Sequence, residues 1–148
     1  FAALLAAIKA LPEAQQGVPL ASLASELEWV PEARRDAAFA DLFAAIKALP
    51  KAQQGHPLAS LACQLGALPE AQRDAAFADL FAAIKALPKA QQGHPLGWLA
   101  SELEWVPEAR RDAAFAALLA AIKALPEAQQ RASLAALNRQ RDGFVRKG

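Results

Sequence analysis

Phe1, Phe39, Phe77 and Phe115 recur at one constant interval, and each opens nearly the same phrase. Residues 39–58 read FADLFAAIKALPKAQQGHPL, and residues 77–96 repeat them letter for letter. A unit this short cannot close a core around itself. Neighbouring copies must stack, so the chain is predicted to form an elongated array and not a ball. The units run 1–38, 39–76, 77–114 and 115–130, followed by a divergent end, 131–148, all in one domain. A period half as long lies inside the first: Phe39, Leu42, Ile46, Leu49 and Pro50 align with Leu58, Leu61, Leu65, Leu68 and Pro69. Each half reads as one helix closed by Leu-Pro or Val-Pro.

In residues 31–49, PEARRDAAFADLFAAIKAL, the residues Phe39, Leu42, Phe43, Ile46 and Leu49 follow helical spacing and make one apolar stripe. Pro31 suits the start of this helix, and Pro50 stops it by pushing Leu49 out of the α region. In the next half, Lys51 to Gln54 is predicted to form one helical turn. Gly55-His56-Pro57 is predicted to break it, and a second helix of about three turns is predicted from Pro57. The short connections predict antiparallel packing of the two helices in each repeat. In the fourth repeat the break becomes Arg131-Ala132-Ser133. Residues 131–141 are predicted to be a polar capping helix ended by Gly143, with 144–148 as a frayed tail.

Composition narrows the possibilities. Over half the chain is apolar, with 55% hydrophobic residues, and there is no Tyr and no Met. Ile occurs once per repeat, at Ile8, Ile46, Ile84 and Ile122, which fits a purely helical chain rich in alanine. The net charge of +1 argues against a polyanionic partner over most of the length. Cys63 is the single cysteine, so no disulfide forms within the chain. The chain opens at Phe1 without Met, in the middle of the pattern, which predicts a piece cut from a longer array.

A helical-hairpin repeat of this length resembles the broad α-solenoid class, near HEAT and armadillo repeats. The resemblance implies an all-α, right-handed α-solenoid of stacked 38-residue hairpins. The recurring phrases Val30-Pro31 to Arg35 and Leu68-Pro69 to Arg73 also resemble Ala/Leu/Arg-rich repeats of type III effectors that Gram-negative bacteria inject into plant hosts. That likeness implies a soluble protein secreted into a host cell.

No residue pattern points to catalysis. Glu26 and Glu28, or Glu102 and Glu104, point different ways on a helix and make no acid–base pair. Repeat-equivalent His56 and His94 lie too far apart to share a metal, given ~8–10 Å between stacked helices. Cys63 has Ser25 and Ser101 as its counterparts, which marks a tolerant position. A non-enzymatic chain with no catalytic residue, metal or cofactor is expected.

Arg35, Arg73 and Arg111 sit four residues before Phe39, Phe77 and Phe115, on the inward stripe. As structural residues they would donate to helix-end carbonyls. As a functional ladder they would hold an anion. Gln16, Gln54 and Gln92 hold the matching place in the other half-units.

The tryptophans carry the binding expectation. Trp98 and Trp105 are seven apart and are predicted to share a face away from the Leu96, Leu99, Leu103 stripe. Trp29 is the counterpart of Trp105. Lateral packing and an exposed anchor are both open for Trp29 and Trp105, and Trp98 is expected to be an anchor. Every change between the second and third repeats falls on residues 59–72, so the second helix varies while the long helix is held.

The expected function is a protein–protein interaction scaffold. Trp98, Trp105, Glu102 and Glu104 would grip a basic or amphipathic peptide, with Trp29, Glu26 and Glu28 as the first-repeat copy. One competing expectation is modular reading of RNA, one repeat per base, which the acidic variable helix disfavours. Another is a spacer that self-associates end to end through an uncapped first repeat, exposing Phe1, Leu4, Leu5 and Ile8.

Overall fold

A regularly recurring proline sets the corners. Pro12, Pro31, Pro50, Pro69, Pro88, Pro107 and Pro126 each follow Leu or Val. At Pro31, Pro50, Pro69, Pro88 and Pro107 the backbone is extended and the next residue starts a helix. The structure, a computed structural model, describes residues 1–147, with side chains through Gly143. It is all-α: eight helices and four short 3-10 turns, with no strand among the described residues. The first helices of the four repeats are the short α1 (Ala2–Lys9) and the long α3 (Glu32–Lys47), α5 (Glu70–Lys85) and α7 (Glu108–Lys123). Between them lie the second helices α2 (Gly17–Ser25), α4 (Lys51–Ala62), α6 (Lys89–Ser101) and α8 (Glu127–Lys147).

Each helix packs on the next in sequence. The second helices also pack on one another, α2 on α4 on α6 on α8, while the long helices barely meet. The apolar stripes fill the space between. Leu42, Ile46, Leu58, Leu61, Leu65, Leu80, Ile84, Leu96 and Leu99 are all sealed from solvent in one continuous core. Phe39 and Phe77 are buried and each stacks on a second ring, Phe43 or Phe81, about one turn later. Phe115 is half-buried against the same core.

One side chain per half-repeat closes each corner. Arg35 donates from Nε to the Val30 carbonyl at 2.8 Å and from Nη2 to the Glu28 carbonyl at 2.6 Å. Arg73 and Arg111 repeat this pair of bonds on Leu68 and Gly66, and on Val106 and Glu104. Gln54 does the same from its single Nε2, to Leu49 at 2.7 Å and Lys47 at 3.2 Å. Gln16, Gln92 and Gln130 follow suit. In every case the acceptors lie five and seven residues earlier. The long helices and the 3-10 turns both end with carbonyls that lack a helical partner, and a donor at this register supplies one.

Two sequence expectations fail here. First, Gly55-His56-Pro57 does not break the helix: α4 and α6 run unbroken through Pro57 and Pro95. A proline inside a helix removes one N–H, here the one that would meet the Gln53 carbonyl. That carbonyl faces Gly17 of the preceding repeat, where a Cβ would lie at an ordinary contact distance of 3.7 Å, and Gln91 faces Gly55 in the same way. The preceding second helix therefore lies over the freed oxygen. Only in the first repeat does a separate 3-10 turn, Glu13–Gln15, precede the second helix.

Second, Gly143 does not end the last helix. α8 starts at Glu127 and continues to Lys147, so the expected capping helix over 131–141 is part of a longer one, and Gly148 lies outside the described residues. Ser133 stands where the other repeats have proline. It restores the N–H, and its hydroxyl donates to the Gly93 carbonyl at 2.7 Å.

Candidate functional site

Small residues open a groove between α6 and α8. Gly93 and Gly97 on one wall face Ser133 and Ala136 on the other, enclosing about 520 Å³. Trp98 stands at the lip, 45% exposed. Its indole N–H donates to His94 Nε2 at 3.2 Å, and the two rings meet edge to face. This bond needs the neutral imidazole with its proton on Nδ1. Arg139 lines the groove from α8. The side-chain oxygens of Gln91 and Gln129 are buried on its walls without a protein donor. Farther along α8, Gln140 donates to the Ser101 carbonyl at 3.1 Å and ties the end of α6 to the last helix.

The other expected anchors lie elsewhere. Helix α6 ends at Ser101, and Leu103–Trp105 is a 3-10 turn, so the seven-residue spacing does not put Trp98 and Trp105 on one face. Trp105 turns back toward the second repeat. Its ring lies 5.2 Å over the Arg73 guanidinium and fills the space beside Gly66. Glu102 lies beside Trp105, half-buried, and Glu104 is exposed. The expected third-repeat patch of Trp98, Trp105, Glu102 and Glu104 is therefore split between two sides of the repeat.

In the first repeat Trp29 is 76% exposed, and Glu26 and Glu28 are exposed too. Glu26 and Trp29 border a hollow of about 890 Å³ with Phe1, Leu4, Val30 and Arg34. The raw apolar end differs from expectation: Leu5 is buried and Ile8 half-buried, while Leu4, Leu11, Val18 and Trp29 are the exposed apolar side chains. A further groove of about 490 Å³ runs between α3 and α5 beside Phe43, whose ring carries the Lys47 ammonium at 5.3 Å. Sequence reasoning, drawn to the varying second helix, missed this groove as well as Arg139, Ser133 and Gln140. The proline-to-serine change at Ser133 was the one available signal.

Burial also sets the chemistry of Glu102 and Cys63. The Glu102 carboxyl is pushed up to about 7, first by burial and then by repulsion from Glu104, against a hydrogen bond from Trp105. Burial, and after it the Glu102 charge, holds the Cys63 thiol up at about 11, which leaves it neutral at pH 7 and a poor nucleophile. Among the described residues, no group of three His, Cys, Asp or Glu is placed to hold a metal ion. No helix among them is long and apolar enough to cross a membrane.

The Glu102 shift has a testable sign. The folded chain keeps a proton that the unfolded chain releases around the ordinary value of 4.5. Stability is therefore greatest below that pH and declines as pH rises through the window to about 7. Glu102→Gln should raise the thermal midpoint over the parent at pH 8, by the equivalent of about 1 kcal/mol after solvent screening, and leave it unchanged at pH 4. A difference of equal size at both pH values would contradict the assignment.

Comparison with models of known protein families, with curated proteins and with solved structures gives no match.

Proposed function

We propose that this chain is a non-enzymatic binding scaffold, a right-handed α-solenoid of the HEAT and armadillo kind, that holds a peptide or helix of a protein partner on its second-helix face. Two features support the architecture. The second helices pack along the whole array while the long helices splay, which suits a curved stack with the second helices on the concave side. The accessible surface, 8026 Å², exceeds the ~7,300 Å² of a compact globule of this size.

The observation that carries the binding reading is Trp98: a large aromatic side chain left half in water at the lip of a groove, fixed in orientation by His94. Exposed, oriented aromatics beside a cleft are the common anchors of protein interfaces. Its surroundings change the expected partner. With Glu102 and Glu104 on the far side, the charge near Trp98 is the Arg139 guanidinium. The groove suits a segment that offers an apolar side chain to Trp98 and a carboxylate to Arg139.

Selection of a random-peptide library on the intact chain tests this. Recovered peptides should carry an apolar residue and an acidic one, and Trp98→Ala should weaken their binding at least about tenfold while shifting the thermal midpoint by under ~3 °C. Peptides that bind the Trp98→Ala chain equally well would overturn the reading.

A further inference from the structure

The first two junctions between repeats each set one position of the earlier repeat against the next position of the later one. In the middle junction these are Gly66 and Trp105. A Cβ on Gly66 would lie 2.6 Å from the Trp105 ring, so no other residue fits there while the indole is seated. Beneath the ring, Arg73 supplies its guanidinium face. In the first junction the matching residues are Glu28 and Ala67. The bulky residue is now on the earlier repeat and the small one on the later. Glu28, Arg35 and Ala67 line an open hollow of about 430 Å³ that extends to Gly66 and Trp105, and Arg35 reaches the Ala67 carbonyl at 3.3 Å. Both junctions thus set one large residue against one small one.

We infer that this pair is a size-complementary key which decides which repeat can precede which. The exposed face around Trp29 is then a seat for a helical repeat of this chain's own kind, bearing glycine at the place of Gly66 and arginine at the place of Arg73. Trp29 is the repeat-equivalent of Trp105 and carries the same flanking Glu28 and Val30 that Trp105 has in Glu104 and Val106. Trp105, seated on a repeat with glycine, is 39% exposed, whereas Trp29, in the first of the described repeats, is 76% exposed. The hollow beside Trp29 is lined by the apolar Phe1, Leu4 and Val30, which a preceding repeat would cover. Packed interiors reject the overlap of a side chain with a ring, which gives the key its selectivity.

The test extends the full chain at its N-terminus. A copy of residues 39–76 placed before Phe1 recreates the natural junction between Ala76 and Phe77, and this segment contains no tryptophan. With Trp98→Phe and Trp105→Phe in the parent, Trp29 is the one fluorophore. The extension should shift its emission to the blue and cut acrylamide quenching several-fold. The same extension carrying Gly66→Glu should leave Trp29 as quenchable as in the unextended chain. Protection by both extensions, or by neither, overturns the inference. A second reading comes from inside the array. With Trp29→Phe and Trp98→Phe, Gly66→Ala should raise the quenching of Trp105, and an unchanged value would count equally against the key.

Discussion

Gln92→Ala is expected to lower the unfolding free energy by about 2–4 kcal/mol, a large loss for a polar substitution that leaves the core untouched. Gln92 is 3% exposed, and its one amide nitrogen serves the Lys85 and Leu87 carbonyls, at 3.1 Å and 2.7 Å. Alanine leaves the Leu87 carbonyl at a buried corner where water cannot replace the donor, and the Lys85 carbonyl in a partly buried one. The next residue after Leu87 is a proline, so the backbone has no N–H to offer there either. Gln16→Ala removes the same pair of bonds in the first repeat, but those bonds are exposed, so its cost should stay below ~1 kcal/mol. Equal losses at Gln16 and Gln92, measured by denaturant titration, would show that the corner bonds are incidental. Gln92→Glu should be at least as damaging as alanine, because a carboxylate cannot donate and brings a buried charge.

Leu96→Ala should cost about 2–5 kcal/mol, the range for a fully buried leucine whose surroundings cannot collapse into the gap. Helix α6 packs on four neighbours, α4 and α8 along the stack and α5 and α7 across it. A cavity there weakens junctions on both sides and should move the whole unfolding transition. Leu20 is the equivalent residue in the first repeat and equally buried, yet α2 has no second helix before it. Leu20→Ala should mainly release α1 and α2, seen as faster amide exchange in those helices, with a smaller shift of the main transition. A Leu20→Ala chain as destabilised throughout as Leu96→Ala would indicate a globally cooperative core with no directional order.

The long helices, their corners and their caps were legible because each depends on a few residues close in sequence. Leu-Pro sets an extended residue, proline opens a helix, and a donor four residues beyond that proline meets the carbonyls the corner leaves open. The second helices were less legible because a neighbour decides their shape. Gly-His-Pro reads as a break in isolation, yet the preceding second helix lies against the Gln53 carbonyl and the helix continues past Pro57. The helical wheel that joined Trp98 to Trp105 assumed a helix that in fact gives way to a 3-10 turn after Ser101. A third pattern was present in the letters but had no meaning there. The alternation of Trp29, Ala67 and Trp105 gains a physical sense only when Trp105 is seen over Gly66 of the repeat before it.

Duplicating residues 39–114 within the chain tests the stacking account most directly, because the one new junction, third repeat onto second, sets Glu104 against Ala67 as the natural first junction sets Glu28 against Ala67. If each repeat is held by the copies on either side, the enlarged chain should unfold in one transition at a higher denaturant midpoint, with a steeper dependence in proportion to its added surface. An unchanged midpoint with a second, separate transition, or loss of helical signal, would contradict it.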